Sequence, residues 1–470
     1  MRVFKSAWPY ALAVLLASSV PCAVAAEKVF ANFVRMPVAE NRLSGRDLAY
    51  VQSQRKDRSV DWVTLVRIDP KVLELTQFEI DLHDRTAIVR KRDTLPGVEP
   101  ILETWFGRAT FADDRPGWDP GTLRDVRLYR ATGGGIGGAV HMDDIVYRFH
   151  PLSDGVHALI RQDLSRLHSD QDDVRDRHPV RAPRTDPSAS SSMAEPAQVE
   201  TIRVAVGYTG AALGDSELES MFNEIRDAIV AANESFSASS IGLRLKLAAW
   251  ADSAGYAESG NGNDIPAALA ALAEGPGGTL WLPHAARDGE NADLLAMVVG
   301  AASDVICGQA QQVGANKDTA LFVFKRSCLL QHTFAHEVGH LLGTDHQPGA
   351  ALDPPVFAYG HGFQRLPAEG GAGRTTLMAT DCPPQRCPRQ NFWSSPLRQH
   401  QGETAGTEDM HDNARVLTEN KARVAAFYPP PQATKGGRAG GPAPRYVRAA
   451  GPDGRAMRAI AEEPQPRLPQ

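Results

Sequence analysis

Apolar and polar residues alternate along two stretches of the first third of the chain, Phe78, Ile80, Leu82 and Ile145, Tyr147, Phe149. A period of two places every second side chain on one face of a strand. Trp62-Val63-Thr64-Leu65-Val66 adds a short apolar run that predicts a buried strand. Residues 26–165 therefore read as a β-rich unit. Inside it, Gly133-x-Gly135-x-x-Gly138 has the spacing of a dinucleotide fingerprint. Such a fingerprint follows a strand and opens a helix, whereas this one leads into Asp143-Asp144 and another alternating stretch, so it predicts a hairpin turn.

The pattern breaks over 166–198. From Ser169 to Gln198, Asp, Arg, Pro and Ser dominate. This segment offers too little apolar area to offset the entropy of ordering it, and it predicts a flexible, protease-accessible linker. Alternation returns at Ile202, Val204, Val206 and Tyr208. Leu218, Phe222, Ile225, Ile229 and Ala232 then recur at helical spacing, with Ser216 and Glu219 in the form of a capping box. Ile241, Leu243, Leu245 and Leu247 predict another strand, and Asp293–Val299 and Ala320–Phe324 predict buried ones. Ala414, Leu417, Val424 and Tyr428 space out as a last amphipathic helix. Strand, helix and strand in this order predict an α/β (α+β) layered domain over 199–428. After Pro429, Pro, Gly, Ala and Arg take over, so 429–470 predicts a disordered tail.

Between the last buried strand and the last helix lies His336-Glu337-Val338-Gly339-His340-Leu341-Leu342-Gly343-Thr344-Asp345-His346. On a helix, His336 and His340 share a face, so their rings reach one metal ion. Gly343 supplies the left-handed residue that ends a helix, which brings His346 back as a third ligand. Three protein ligands leave one position open, the mark of a catalytic rather than a structural Zn2+. Glu337, beside the first ligand, is the candidate general base for a water that the zinc acidifies. This chemistry suits hydrolysis of an amide, most simply a peptide bond.

The rest of the chain narrows the setting. A net charge of -6 over 470 residues gives no argument for nucleic acid as a partner. Arg2 and Lys5, the apolar Ala11 to Val20 and then Ala23-Val24-Ala25 read as a signal peptide over 1–25. The expected location is secreted or periplasmic, and no later run is apolar and long enough for stable membrane insertion. Beyond the leader remain Cys307, Cys328, Cys382 and Cys387. An even number in an exported chain favours disulfides, and the pairing that closes the shortest loops is Cys307–Cys328 with Cys382–Cys387. An exported β-rich unit, a cleavable linker and a hydrolase domain together predict a zymogen, with the first unit as propeptide and intramolecular inhibitor.

The extended histidine motif resembles that of the metzincin zinc metalloproteases. Thr376-Leu377-Met378-Ala379 is similar to the methionine turn that lies beneath their metal. Phe357-Ala358-Tyr359-Gly360-His361-Gly362-Phe363 and Asn391-Phe392-Trp393-Ser394-Ser395-Pro396 look like the reprolysin-type branch, closest to the bacterial peptidyl-Asp metalloendopeptidase family. Thr380 stands where astacins and serralysins place a tyrosine ligand, which argues against those branches. The resemblance covers about residues 199–428. It implies a twisted, mostly parallel sheet above the zinc helix and a polypeptide substrate extended along an edge strand. Ala320–Phe324 is a candidate for that edge, or else an interior strand. It also implies cleavage beside acidic residues, with Arg374 as a candidate partner for the substrate carboxylate.

Some metzincins silence their zinc with a propeptide cysteine, but none lies between residues 26 and 198. Asp143, Asp144 and His141 are the candidates for that role, or else solvated turn residues. The alternative to an enzyme is a non-catalytic adhesion or binding module with a structural zinc site, against which Glu337 argues. A zinc hydrolase for non-peptide amides is a third option.

Overall fold

The structure, a computed structural model, describes residues 40–167, 199–430 and 445–447 apart from short internal stretches, the longest being 115–123, 367–372 and 381–386. The expected leader and nearly all of the linker and tail lie outside the described residues, as does Cys382.

The N-terminal unit opens with helix α1 (Gly45–Lys56), whose first turn is capped by the Ser44 hydroxyl accepting from the Asp47 amide at 3.1 Å. Eight strands follow: β1 (Val60–Arg67), β2 (Gln77–Asp81), β3 (Thr86–Lys91), β4 (Thr104–Phe111), β5 (Asp125–Arg130), β6 (Ile136–Met142), β7 (Ile145–Pro151) and β8 (Val156–Asp163). They form one antiparallel sheet in the order β1-β8-β7-β6-β5-β4-β3-β2. Alternation sorts the side chains. Phe78, Ile80, Val89, Trp105, Leu128 and Tyr147 make the main core, while Val63, Leu65 and Ile160 face Tyr50 and Val51 of α1. The glycine-rich run forms the hairpin between β5 and β6. Gly138 there has φ +127°, and a Cβ would sit 2.1 Å from the Arg127 carbonyl oxygen.

The C-terminal domain runs β9 (Glu200–Tyr208), α2 (Gly210–Leu213), α3 (Leu218–Ala238), β10 (Leu243–Asp252), α4 (Asp264–Ala273), α5 (Trp281–Gly289), β11 (Leu294–Val299), β12 (Gly308–Ala310), β13 (Leu321–Lys325) and α6 (Thr333–Leu342). It continues with β14 (Gln364–Arg365), β15 (Arg374–Thr375), β16 (Ser395–His400), β17 (Glu403–Ala405), α7 (Asn413–Ala425) and β18 (Arg445–Val447). The main sheet has the order β12-β13-β11-β9-β10-β18 and is parallel except for β12. Continuous apolar strands fit a parallel sheet covered on both faces. In β11, Leu294, Ala296 and Val298 turn toward α3, α6 and α7, while Leu295, Met297 and Val299 turn toward α4 and α5.

Of the two readings of Ala320–Phe324, the structure gives the interior one: it falls on β13, and beyond it β12, three residues long and opened by a glycine, forms the edge on that side. Two expectations are corrected. The capping box does not form. Helix α3 starts at Leu218, and the Ser216 hydroxyl instead donates to the Leu213 carbonyl and accepts from the Arg326 guanidinium, both at 2.6 Å. The tail is not wholly without structure: β18 pairs with β10, and the Tyr446 hydroxyl meets that of Tyr208 at 2.7 Å.

The two units are joined along α3. Glu217, Glu224, Asp227 and Glu234 repeat at helical spacing and make one acidic stripe. The N-terminal unit answers with Arg46 on Glu217 (3.1 Å), His150 on Glu224 (3.5 Å), and Arg127 on Asp227 (3.0 Å) and Glu234 (3.4 Å). Arg92 also pairs with Glu234. Ala139, Val146, Leu164 and Leu167 pack on the disulfide between Cys307 and Cys328. Cys387 is disulfide-bonded as well.

Candidate active site

Helix α6 carries the first two histidines because its apolar residues, Phe334, Val338, Leu341 and Leu342, bury one side against the sheet. It ends at Gly343, whose φ of +112° no branched residue adopts without strain. The chain then turns back, and Asp345 pairs with the 360–362 segment: its amide donates to the Gly360 carbonyl at 2.7 Å and its carbonyl accepts from the Gly362 amide at 2.9 Å. His361 Nδ1 donates to the His346 carbonyl at 2.9 Å. These bonds hold the third histidine opposite the helix.

The structure brings His336, His340 and His346 together, all buried, with their Nε2 atoms 3.1, 3.2 and 3.2 Å apart. Each Nδ1 faces a backbone carbonyl: His336 on Leu377 (2.8 Å), His340 on Thr344 (3.0 Å) and His346 on Ala350 (3.3 Å). A carbonyl only accepts, so each Nδ1 carries the proton and each Nε2 presents a lone pair. Three lone pairs converging at this distance repel one another unless a cation lies between them. A tetrahedral site with arms of about 2.0–2.1 Å sets its nitrogens roughly 3.3 Å apart, so the donor set fits such an ion. Among the described residues this is the one group of three metal-ligating side chains. Burial, and after it the charge of Arg389, holds the His336 imidazole well below its ordinary pKa, which keeps it in the neutral form a metal requires.

Glu337 is fully buried. The edge strand passes close over it: a Cβ on Gly308 would lie 2.5 Å from Glu337 Oε1. The carboxylate and the backbone of β12 therefore meet beside the histidines. Beneath them, Met378 packs on α6 at Gly339, where a Cβ would come within 2.7 Å of its Sδ. Trp393 completes this floor, donating from Nε1 to the Ser235 hydroxyl at 3.0 Å and stacking on Phe236.

The other sequence candidates fall elsewhere. His141 stacks on His332 at 5.9 Å, and Asp143 pairs with Arg124 at 3.2 Å. Neither belongs to the histidine cluster. Asp144, in the same turn, accepts the Leu164 amide on its carbonyl at 2.7 Å. Arg374 is 8% exposed, and its charge acts on Asp143 of the N-terminal unit.

No motif signals the clamp between Gln347 and Thr380. Gln347 Nε2 donates to the Thr380 hydroxyl at 2.7 Å, and its Oε1 accepts the Thr380 amide at 2.9 Å. The clamp ties the residue after the third histidine to the residue after the methionine turn. Gln347→Ala is expected to weaken metal retention on the order of tenfold in a chelator competition, as loss of outer supports does elsewhere. Thr380→Ser, which keeps both groups, is expected to leave it unchanged.

A mixed α/β domain with three converging histidines and an adjoining buried carboxylate has the make-up of a metallopeptidase. The comparisons agree. The reprolysin-like profile of metallopeptidase family M12B matches residues 222–347. A peptidyl-Asp metalloendopeptidase of Stenotrophomonas maltophilia is 30% identical over 374 residues, covering 77% of this chain and 85% of that one. One of Xanthomonas campestris pv. campestris is 31% identical over 372 residues, covering 75% and 82%. Metalloproteinase-II from Bacteroides fragilis shares 14% identity over 75% of this chain and 93% of its own at a TM-score of 0.32, too loose a likeness to bear on the fold. The chain belongs to the peptidyl-Asp metalloendopeptidase family of reprolysin-like metallopeptidases, and it is a metal-dependent peptide hydrolase. No helix among the described residues is long and apolar enough to cross a membrane.

Proposed function

We propose that the protein is a zinc endopeptidase, exported by the leader over 1–25 and made as a zymogen, that cuts polypeptides beside aspartate. His336, His340 and His346 hold the ion, and Glu337 is the general base. The convergence of three Nε2 lone pairs, each fixed by a carbonyl behind its ring, carries this reading. Bound there, zinc supplies a Lewis acid that acidifies water and polarises a carbonyl. The residues do the rest. Backbone groups of Gly308–Ala310, on the sheet edge, pair with an extended substrate and bring its scissile carbonyl over Glu337. Glu337 takes a proton from the attacking water, whose oxygen bonds to the carbonyl carbon. As the C–N bond breaks, the same carboxyl hands that proton to the leaving nitrogen.

The proenzyme reading is supported by where the N-terminal unit rests. It packs on α3, on the disulfide at the start of the edge strand and on the turn before α6. Its inhibition then comes from covering the approach rather than from ligating the metal. The domain scheme proposed with it is a β-rich propeptide over 26–165, a linker over 166–198 and a peptidase domain over 199–428. The names of the relatives support the aspartate preference.

Protein cut in the linker is expected to hydrolyse internal bonds of a peptide library, to lose this with a chelator and to regain it with zinc. Chelator-resistant cleavage, or activity on non-peptide amides alone, counts against the reading.

A further inference from the structure

We propose that Arg389 is the specificity-determining residue that receives the carboxylate of the substrate aspartate beside the scissile bond. This rests on the aspartate preference proposed above and assigns it a residue. The argument starts from the chain after the methionine turn. The Thr375 amide donates to the Pro388 carbonyl at 3.2 Å, the Gln390 amide to the Thr375 carbonyl at 2.8 Å, and the Leu377 amide to the Phe392 carbonyl at 3.0 Å. Residues 388–392 are therefore laid against 375–377, and Leu377 is the residue whose carbonyl fixes the His336 ring.

Arg389 stands in the middle of that segment, half-buried. Its Nη1 donates to the Gln331 carbonyl at 3.2 Å, two residues before α6 begins. The guanidinium thus spans from the wall after the methionine turn to the start of the zinc helix, on the side of the first ligand. Its charge is felt at His336 and at His332. An acidic side chain next to the bond under attack lies within a few ångströms of the metal ligands, and Arg389 is a cation that reaches the start of the zinc helix from this side. A guanidinium also matches a carboxylate with two parallel N–H groups, which a point charge cannot do.

Arg374 fits less well. It is nearly closed to solvent and faces Asp143. The N-terminal unit also covers the Arg389 corner. The same Gln331 that accepts from Arg389 donates from Nε2 to the Leu164 carbonyl at 2.7 Å, and His141 stacks on the adjacent His332. Departure of that unit opens the corner to substrate.

The test uses full-length protein cut in its linker and paired peptides that differ only in Asp or Asn beside the scissile bond. The wild type is expected to favour Asp. In Arg389→Gln, kcat/KM for the Asp peptide is expected to fall about 10- to 100-fold more than for the Asn peptide, the range for one charged hydrogen bond. Arg389→Lys should keep part of the discrimination, and Arg374→Gln all of it. An unchanged Asp-to-Asn ratio in Arg389→Gln overturns the proposal. So does an equal loss on both peptides, which would make Arg389 a support of the zinc helix. A wild type that does not discriminate sinks the aspartate reading itself, and the assignment falls with it.

Discussion

Glu337→Gln is expected to lower kcat for peptide hydrolysis by about 10²- to 10⁴-fold while the protein keeps its metal. The amide has nearly the volume of the carboxylate, and volume matters here. Glu337 is fully buried, and a Cβ on Gly308 would already lie 2.5 Å from its Oε1. The substitution therefore removes basicity with little change of shape. The three histidines are anchored by the carbonyls of Leu377, Thr344 and Ala350, none of which involves Glu337, so metal binding should persist. The substrate contacts proposed at the sheet edge do not involve Glu337, so KM should move little, the pattern of an interaction made mainly in the transition state. The checks are steady-state kinetics on a library-derived peptide and zinc content per chain. Activity within tenfold of wild type, with zinc bound, would mean that another group takes the proton.

What the chain made legible was whatever depends on local spacing. The histidine motif could be read because a helix and one glycine turn are enough to bring its rings together. Some strands of each sheet showed as alternation or as apolar runs, and Leu294–Val299 shows why a run rather than alternation marks a parallel strand: both its faces are covered. What stayed hidden depends on partners far away in sequence. Ser216 and Glu219 have the right spacing for a cap, but Arg326, more than a hundred residues on, takes the serine. Gly308–Ala310 is too short to show a period, so the edge strand was sought one strand too far inward. Arg445–Val447 lies in a composition that reads as disordered, and only the open edge of Leu243–Asp252 gives it a place. The Gln347–Thr380 clamp joins two polar residues with no motif between them. Residues that support or select often escape a sequence for this reason: their meaning lies in a contact.

The contact with the most leverage on the proposed latency is Arg127. It sits on β5 of the N-terminal unit, 3% exposed, and reaches across to Asp227 and Glu234 on α3. Buried arginine with two carboxylates does not by itself mean strong binding, because desolvation offsets much of the attraction. Removing one side is another matter, since the carboxylates then stay buried without their counter-charge. Arg127→Ala is expected to cost about 3–5 kcal/mol of docking free energy. At about 1.4 kcal/mol per tenfold, that weakens the association between the units by roughly two to three and a half orders of magnitude. Arg92 shares Glu234 and lies 3.6 Å from Asp125, so it relieves part of the loss at one carboxylate but does not reach Asp227 in the same way. Asp125 should respond too. Burial already pushes its carboxyl up to about 6, with Arg127 among the charges that restrain the rise, so its tendency to hold a proton should grow. The measurement is gel filtration of protein nicked in the linker, alongside peptidase assays. Nicked wild-type units should co-elute at high concentration and come apart only on dilution into the assay, whereas Arg127→Ala should separate on the column and be active even before the linker is cut. Co-elution of the nicked variant, with the uncut variant still latent, would show that the apolar patch around Cys307–Cys328 holds the units together and that the acidic stripe of α3 is incidental.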